Sequence, residues 1–485
     1  MVPLNAVSRN EVSPFWGGTM RHRARLAALA GPVYLELLAG VVAGIIDVLW
    51  VARLSDGAAA VAAVAVATNT ENVLLGVVLM AAQGTTVLVS RAAGARDPAA
   101  VGAAVRGGWA LCALLAPAVA VGGFLCREPL AALLLGGHGD PAAVRLAAGY
   151  FAVSLPGTAV FYAQNTLDGV FKGAGDTRTP MRLALLANGL ILLLDPFLIH
   201  ALGVRGAAVA TVAGRAAALA AGLALLRRHP LVRRAATVPP AEPVAAALRR
   251  TAVTGAPMAA DFLVRMAGTL TLVAIVARLG VDRVAAYGIA TKAVYVATMG
   301  FYAVRQAASI HTAYHLGAGR DERRAIARQA LLLGAGLGLL AAVVLQPAAP
   351  WIMAAFGAEP GVAAAGTAFL RTLGPYLVLL ACFIAPGGVL QGGGGAALLV
   401  RVTLVGTAVQ LPLAYALAVP AGLGLVGVGV AMAVAAGLQC LAVTAAFTRS
   451  AASRRPGRAP ADSSRTPCAA STADGPRPPT AGGRR

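Results

Sequence analysis

Residues 169–175 read Gly169-Val170-Phe171-Lys172-Gly173-Ala174-Gly175, and residues 388–394 read Gly388-Val389-Leu390-Gln391-Gly392-Gly393-Gly394. The two stretches lie 219 positions apart, and the same offset carries Pro156 onto Pro375. An offset of 221 carries Gly203 and Gly206 onto Gly424 and Gly427, and 224 carries Arg96-Asp97 onto Arg320-Asp321. An offset of 225 carries Pro32 onto Pro257, Glu36 onto Asp261, and Val51-Ala52-Arg53-Leu54 onto Val276-Ala277-Arg278-Leu279. One such match means little in a chain with 57 glycines. Ordered matches at a slowly drifting offset mark a duplication. The fold is therefore two copies of one unit, and the question becomes what one copy is.

Composition answers it. Of 485 residues, 58% are hydrophobic and 12% charged, with mean hydropathy +0.76. Soluble domains run near 45–50% apolar and about a quarter charged, so lipid is the expected solvent. Aromatics at 5% argue against an outer-membrane barrel with aromatic girdles. The five cysteines form no CxxC pair and no ligand spacing with histidine, so neither a disulfide framework nor a metal site is expected. The first 25 residues lack the short apolar core and cleavage site of a signal peptide.

Twelve apolar stretches are long enough to span, near residues 32–52, 61–86, 106–126, 148–171, 181–202, 205–226, 253–278, 284–310, 329–349, 371–391, 399–420 and 424–447. Each copy holds six, an even number, so both copies enter the membrane in the same direction. The expected fold is an all-α integral membrane protein, two six-helix bundles related by a pseudo-two-fold axis along the membrane normal. The organisation read from the sequence is a cytoplasmic N-terminal segment 1–30, an N-terminal bundle 31–227, a cytoplasmic linker 228–250, a C-terminal bundle 251–448 and a disordered tail 449–485. With the N-terminus inside, 29 of the 40 Lys and Arg fall in cytoplasmic segments and seven in outer loops. That bias predicts both termini in the cytoplasm, and the abundance of Ala, Gly and Arg over Lys reads as the codon bias of a GC-rich bacterium, so a bacterial plasma membrane is expected. The positional bias also accounts for the net charge of +21 without nucleic acid as a partner.

The residues that carry the duplication also carry a resemblance. Pro32, Asp47 and Val51-Ala52-Arg53-Leu54 are one element of it. Gly169 through Gly175-Asp176-Thr177-Arg178-Thr179-Pro180 is the second, and Asp195-Pro196-Phe197-Leu198-Ile199 with Gly203-Val204-Arg205-Gly206 the third. Along most of residues 25–447 the chain resembles the multidrug and toxic compound extrusion (MATE) family. The resemblance implies an outward V-shaped cleft between two bundles, and export of drugs or metabolites driven by protons or sodium. The chain departs from the family pattern at Ile191, where Asn is frequent, with Asn188 about one turn earlier. It departs again at Arg265, where some members are acidic.

Ionisable residues inside a membrane are functional hypotheses by default. Asp47 and Asp195 each lie fifteen residues beyond a proline at the start of an outward-running span. At 1.5 Å per residue both reach roughly 22 Å along their helices. A pair at equal depth can hold a proton or ligate sodium, and it is expected to couple the ion. Their repeat counterparts, Leu272 and Ala414 or Ala416, carry no charge, so coupling is expected in the N-terminal bundle alone. The alternative is that Asp47 neutralises an arginine such as Arg215 or faces outer water. Asn69, Glu71, Asn72, Gln83, Gln164, Asn165 and Asn188 are candidate cleft-lining residues. Glu36, Asp261 and Arg265 are candidates for an inner gate, against the plainer reading of helix-dipole complements and an i,i+4 pair. Lys292 and Arg305 are possible partners of Asp261. His200, His311 and His315 read as interfacial residues at span ends. The glycine runs lack the Gly-Lys-[Ser/Thr] ending of a P-loop and read as turns.

The expected activity is cation-coupled antiport of amphiphilic, cationic small molecules by a monomer surrounded by lipid. No cofactor beyond H+ or Na+ and no enzymatic activity are expected. A lipid-linked saccharide flippase of the same superfamily is the alternative, which calls for extra C-terminal spans or a strongly cationic cleft. A prenyl transferase is disfavoured because no DxxxD or DDxxD cluster appears.

Overall fold

The computed structural model describes residues 18–51, 57–134 and 141–452. Within them, the side chains of Asp47, Asn69 and Asn72 lie outside the described residues. The N-terminal bundle contains α1 (Gly18–Val51), α2 (Gly57–Ala95), α3 (Pro98–Leu125), α5 (Pro141–Gly173), α6 (Arg178–Leu202) and α7 (Val204–Arg228). The C-terminal bundle contains α9 (Val244–Ala277), α10 (Val281–Gly317), α11 (Arg323–Ala355), α13 (Gly374–Gly392), α14 (Ala396–Ala418) and α15 (Gly424–Ala452). Shorter helices α4 (Arg127–Leu134) and α12 (Pro360–Thr372) connect the third and fourth spans of each bundle, and α8 (Pro230–Ala236) lies between the bundles. Helical packing forms one unit through Val443, and residues from Thr444 onward form a second. Twelve helices are long and apolar enough to cross a membrane. This is a multi-pass membrane protein. Its surface agrees: Leu339, Leu340, Val343 and Val344 of α11 are each more than half exposed, a patch that water would not tolerate but lipid does.

The helices outrun the apolar windows because a window sees only the part solvated by lipid. α1 begins fourteen residues before the expected span, through the polar turns around Arg21 to Arg25. The joining segment 228–250 is also more ordered than its prolines and arginines suggest. Pro230 opens α8, where it costs no hydrogen bond, and Ala235 is buried against Ala92 and Val101 with Leu231 packed alongside. α9 then starts at Val244. The side of the molecule that carries this connection is called here the linker face.

The quoted glycines do two jobs. Gly169 and Gly173 press α5 onto the backbone of α2 at Ala82 and Thr86, and Gly388 and Gly392 press α13 onto α10 at Arg305 and Ser309. A Cβ at any of these positions would collide, which is the small-xxx-small packing of membrane helices. Gly175 and Gly394, at φ +83° and +85°, then make the turns in a region that favours glycine. After the first turn, Asp176 accepts hydrogen bonds from the Arg178 and Thr179 amides, both at 3.0 Å, and so caps α6. Pro180 sits in the first turn of that helix, where a proline breaks no bond.

The bundles meet through α1 on α10 and α11, α2 on α9 and α10, and α3 on α9. Gly94 of α2 touches the Tyr314 carbonyl of α10, and Gly317 of α10 touches the Arg91 carbonyl of α2. Both the glycines and their partners differ by 223 positions, so the contact is its own image, as a two-fold axis between α2 and α10 requires. Ser90 adds a hydrogen bond to the Ile310 carbonyl, 2.8 Å, across the same seam. Gly84 against Thr251, Gly107 against Ala247 and Gly255 against Met80 are further backbone approaches. All of these lie in the halves of their helices nearer the linker face.

Candidate functional site

Inside the N-terminal bundle, α1, α2, α5, α6 and α7 enclose a cavity of about 270 Å³. Its space comes from missing side chains: Gly40 and Gly44 of α1 border it, and a Cβ at either would meet nothing within 4 Å. Its polar lining is Thr68 and Glu71 from α2, Ser154 and Thr158 from α5, Asn188 from α6, and Thr211 and Arg215 from α7. Arg215 lies over the Phe161 ring, 4.4 Å from its centroid, and feels the charges of Glu71 and Asp168.

Asp195 is fully buried. The buried residues of α6 are Pro180, Leu183, Ala187, Ile191, Asp195 and Ile199, a stripe at helical spacing that faces the bundle interior. Asn188 and Ile191, which line the cavity, are about two turns and one turn before Asp195. Asp195 therefore continues the cavity wall away from the linker face and does not point to lipid. The side chain of Asp47, expected at the same depth on α1, is outside the described residues.

A second charged group lies on the other side of the cavity, toward the linker face. Lys172 donates to Glu36 at 2.7 Å, joining α5 to α1. Asp168, one turn before Lys172, interacts electrostatically with Glu36, Lys172 and Arg215. It is buried, and its Oδ1 has no hydrogen-bond partner. Sequence reasoning passed over Asp168 and put Lys172 in a loop. The signal was present as an acid and a base at i,i+4 within an apolar span. Charges thus step through the bundle from Asp195 past Arg215 and Glu71 to Asp168, Lys172 and Glu36. Among the described residues of this set, four acids face two bases.

The C-terminal bundle reverses that balance. Asp261 is buried and holds Arg305 at 2.6 Å, Arg265 at 3.2 Å and the Thr403 hydroxyl. Arg265 also lies 5.0 Å from the Phe383 ring centroid. One acid saturated by two arginines leaves no ligand for a further cation. Lys292 is exposed and faces the Phe356 ring instead. Glu36 and Asp261, named together as gate candidates, are thus each held by ion pairs inside their own bundle.

Of the proposed cleft-lining residues, Glu71 and Asn188 border the cavity. Gln83, Gln164 and Asn165 are not in its wall. The Asn165 amide turns back to the Phe161 carbonyl of its own helix, 2.9 Å, and Gln164 is buried elsewhere on α5. Asn69 and Asn72 fall outside the described side chains.

Comparisons with known proteins agree with this architecture. The chain is 30% identical over 227 residues to a protein of Shewanella oneidensis named FAD transporter, covering 45% of this chain and 48% of that one. It is 24% identical to the probable multidrug resistance protein YpnP of Bacillus subtilis and 26% identical to the probable multidrug resistance protein NorM of Thermotoga maritima, each over 57% of this chain and 61% of the relative. The chain thus matches about half to three-fifths of these relatives' length. Among solved structures, a MOP superfamily transporter from Pyrococcus furiosus superposes with TM-score 0.81 at 20% identity, covering 89% of this chain and 96% of that one. The Vibrio cholerae MATE transporter VcmN gives 0.81 at 19%, covering 90% and 98%. The MatE family model matches residues 32–197 and 257–416, one block in each bundle. On that match, the chain belongs to the MatE family.

Proposed function

We propose that this protein exports amphiphilic small molecules across a bacterial plasma membrane by alternating access, driven by inward flow of protons or sodium. The linker face is the cytoplasmic side, in keeping with the arginines gathered there. The bundles touch along that side, so the arrangement described is outward-facing. The coupling ion binds in the N-terminal bundle, at Asp195 with Asp47. One observation carries this reading: the charged set within the N-terminal bundle holds four acids, Asp195, Glu71, Asp168 and Glu36, against Arg215 and Lys172 among the described residues, whereas the buried Asp261 of the C-terminal bundle holds two arginines. A cation entering the first bundle meets this surplus of carboxylates, whereas in the second Asp261 is already held by Arg265 and Arg305. Binding drives transport only if it favours one arrangement of the bundles over the other.

Substrate class follows the relatives named as multidrug resistance proteins. A second reading, an anionic flavin nucleotide, is favoured by Arg215 in the cavity wall and by the relative named FAD transporter. The test is transport by purified protein in liposomes, with pH and sodium gradients imposed separately, against a panel of organic cations and FAD. One gradient is expected to drive uptake of at least one organic cation, and the Asp195→Asn and Asp47→Asn variants are expected to abolish the dependence on that gradient. Full gradient-driven transport by both variants would refute the ion site, and FAD as the only transported compound would establish the second reading.

A further inference from the structure

Three of the six histidines in the chain meet at one point. His22 lies near the start of α1, in the N-terminal bundle. His311 and His315 lie one turn apart near the end of α10, in the C-terminal bundle. The ring centroids are 4.4 Å apart for His311 and His315, 5.2 Å for His22 and His311, and 5.5 Å for His22 and His315. His22 Nδ1 is 2.9 Å from His311 Nε2. Glu322, at the N-cap of α11, completes the group: its Oε2 is 2.8 Å from His22 Nε2 and 3.4 Å from His315 Nδ1. His315 Nδ1 is buried and faces Glu322 without a well-aligned hydrogen bond. Arg25 acts electrostatically on His311, and Arg320 on His315.

We propose that His22, His311, His315 and Glu322 bind a divalent transition metal of the zinc class, which ties α1 to α10 and α11 across the seam between the bundles. The donor set fits. Three imidazoles and one carboxylate suit Zn²⁺, Co²⁺ or Ni²⁺ and not Mg²⁺ or Ca²⁺, which take oxygen ligands. Histidines at i and i+4 present two ring nitrogens on one helix face, the spacing that helical zinc sites use. One ligand atom from each histidine falls within 4.8 Å of the other two. Tetrahedral zinc with bonds of about 2.0–2.1 Å needs ligand atoms roughly 3.4 Å apart. The ligands come from both bundles, so the metal binds only where the linker face is closed, and it stabilises that arrangement at the expense of any other. The site itself does not rest on the transport reading.

The test uses full-length protein, purified without a polyhistidine tag, in lipid nanodiscs. Co²⁺ is titrated and the visible absorption of tetrahedral cobalt is followed, with Zn²⁺ as competitor. We expect one Co²⁺ per chain, displaced by Zn²⁺ and not by Mg²⁺, and a thermal midpoint that rises with Zn²⁺ concentration. His22→Gln and His315→Gln should each weaken Co²⁺ binding at least ~10-fold, and the triple variant His22→Gln/His311→Gln/His315→Gln should abolish it together with the Zn²⁺-dependent stabilisation. Glu322 is about one-third exposed at a helix start, so Glu322→Gln keeps the fold and should also weaken binding. Absence of stoichiometric binding to the parent protein would overturn the proposal. So would undiminished binding in the triple variant or in Glu322→Gln.

Discussion

Lys172 and Glu36 sit 2.7 Å apart with side chains only 9% and 14% exposed, so neither can be lost alone without stranding the other's charge. Lys172→Met should destabilise the protein by about 3–5 kcal/mol, the cost of breaking one partner of a buried pair. Adding Glu36→Gln should recover most of it. Thermal unfolding in detergent of both variants checks this, and a double variant no better than the single would mean the pair is not coupled. Asp261 behaves differently because it has three partners. Arg305→Met leaves Arg265 and Thr403 in place, and should cost about 1–3 kcal/mol in the same measurement. At this scale the sequence exposed some of the site and hid the rest. Asp195, fifteen residues from Pro180, lies on the buried stripe of α6. Asp168 lacks that spacing from a proline; it interacts with Lys172 along one helix and with Glu36 across to α1. Gln164 and Asn165 are cleft candidates because amides are rare in spans, and neither borders the N-terminal cavity. Helix rotation decides which way they face, and an alanine-rich helix with little amphipathic contrast does not declare its rotation.

Each fourth span is fixed to its second span by glycines, and this contact is the element that makes the two halves alike. At Gly173 an added side chain would meet Val89 and the Thr86 carbonyl, and at Gly392 the Ser309 backbone. Gly173→Leu and Gly392→Leu should each destabilise by about 1–3 kcal/mol or more, the cost of overpacking. Size-exclusion profiles and thermal midpoints would register the loss, and unchanged midpoints would show that the helices slide apart freely. The glycine repeat was readable as a repeat, and as a turn, but its packing role depends on which helix lies opposite. α4, α8 and α12 leave no signal in the apolar windows, since they are short and lie outside them. α8 also carries a pH dependence. The His229 ring, just before α8, stacks edgewise on Phe171 at 5.7 Å. Burial pushes its imidazole below the ordinary range, and Asp176 opposes the shift only in part. The folded state then binds fewer protons than the unfolded chain. The stability it contributes is complete above the unfolded value near 6.5 and is lost as pH falls below it. His229→Phe should therefore show a shallower fall of thermal midpoint between pH 7 and pH 5 than the parent.

The duplication predicts that the bundles meet about a two-fold axis, and the exchange of Gly94 and Gly317 against Tyr314 and Arg91 is where that axis becomes a physical contact. Composition, duplication and positive-inside bias were sufficient for twelve spans in two bundles. They could not say at which end the bundles touch, because that is set by which small residues allow backbones together. The sequence offers glycine at many positions besides these. A side chain at this seam acts on the equilibrium between arrangements as well as on stability. Gly317→Leu forces a side chain against the Arg91 carbonyl, penalising only the arrangement closed at the linker face. Thr312, fully buried on α10 near this seam, reports the result. In a background with the five native cysteines replaced, Thr312→Cys should resist a membrane-impermeant maleimide applied from the linker face. Adding Gly317→Leu should raise its labelling rate, by about tenfold for each 1.4 kcal/mol by which closure is penalised. Equal labelling with and without the leucine would mean that the glycine crossing holds the helices together without controlling access.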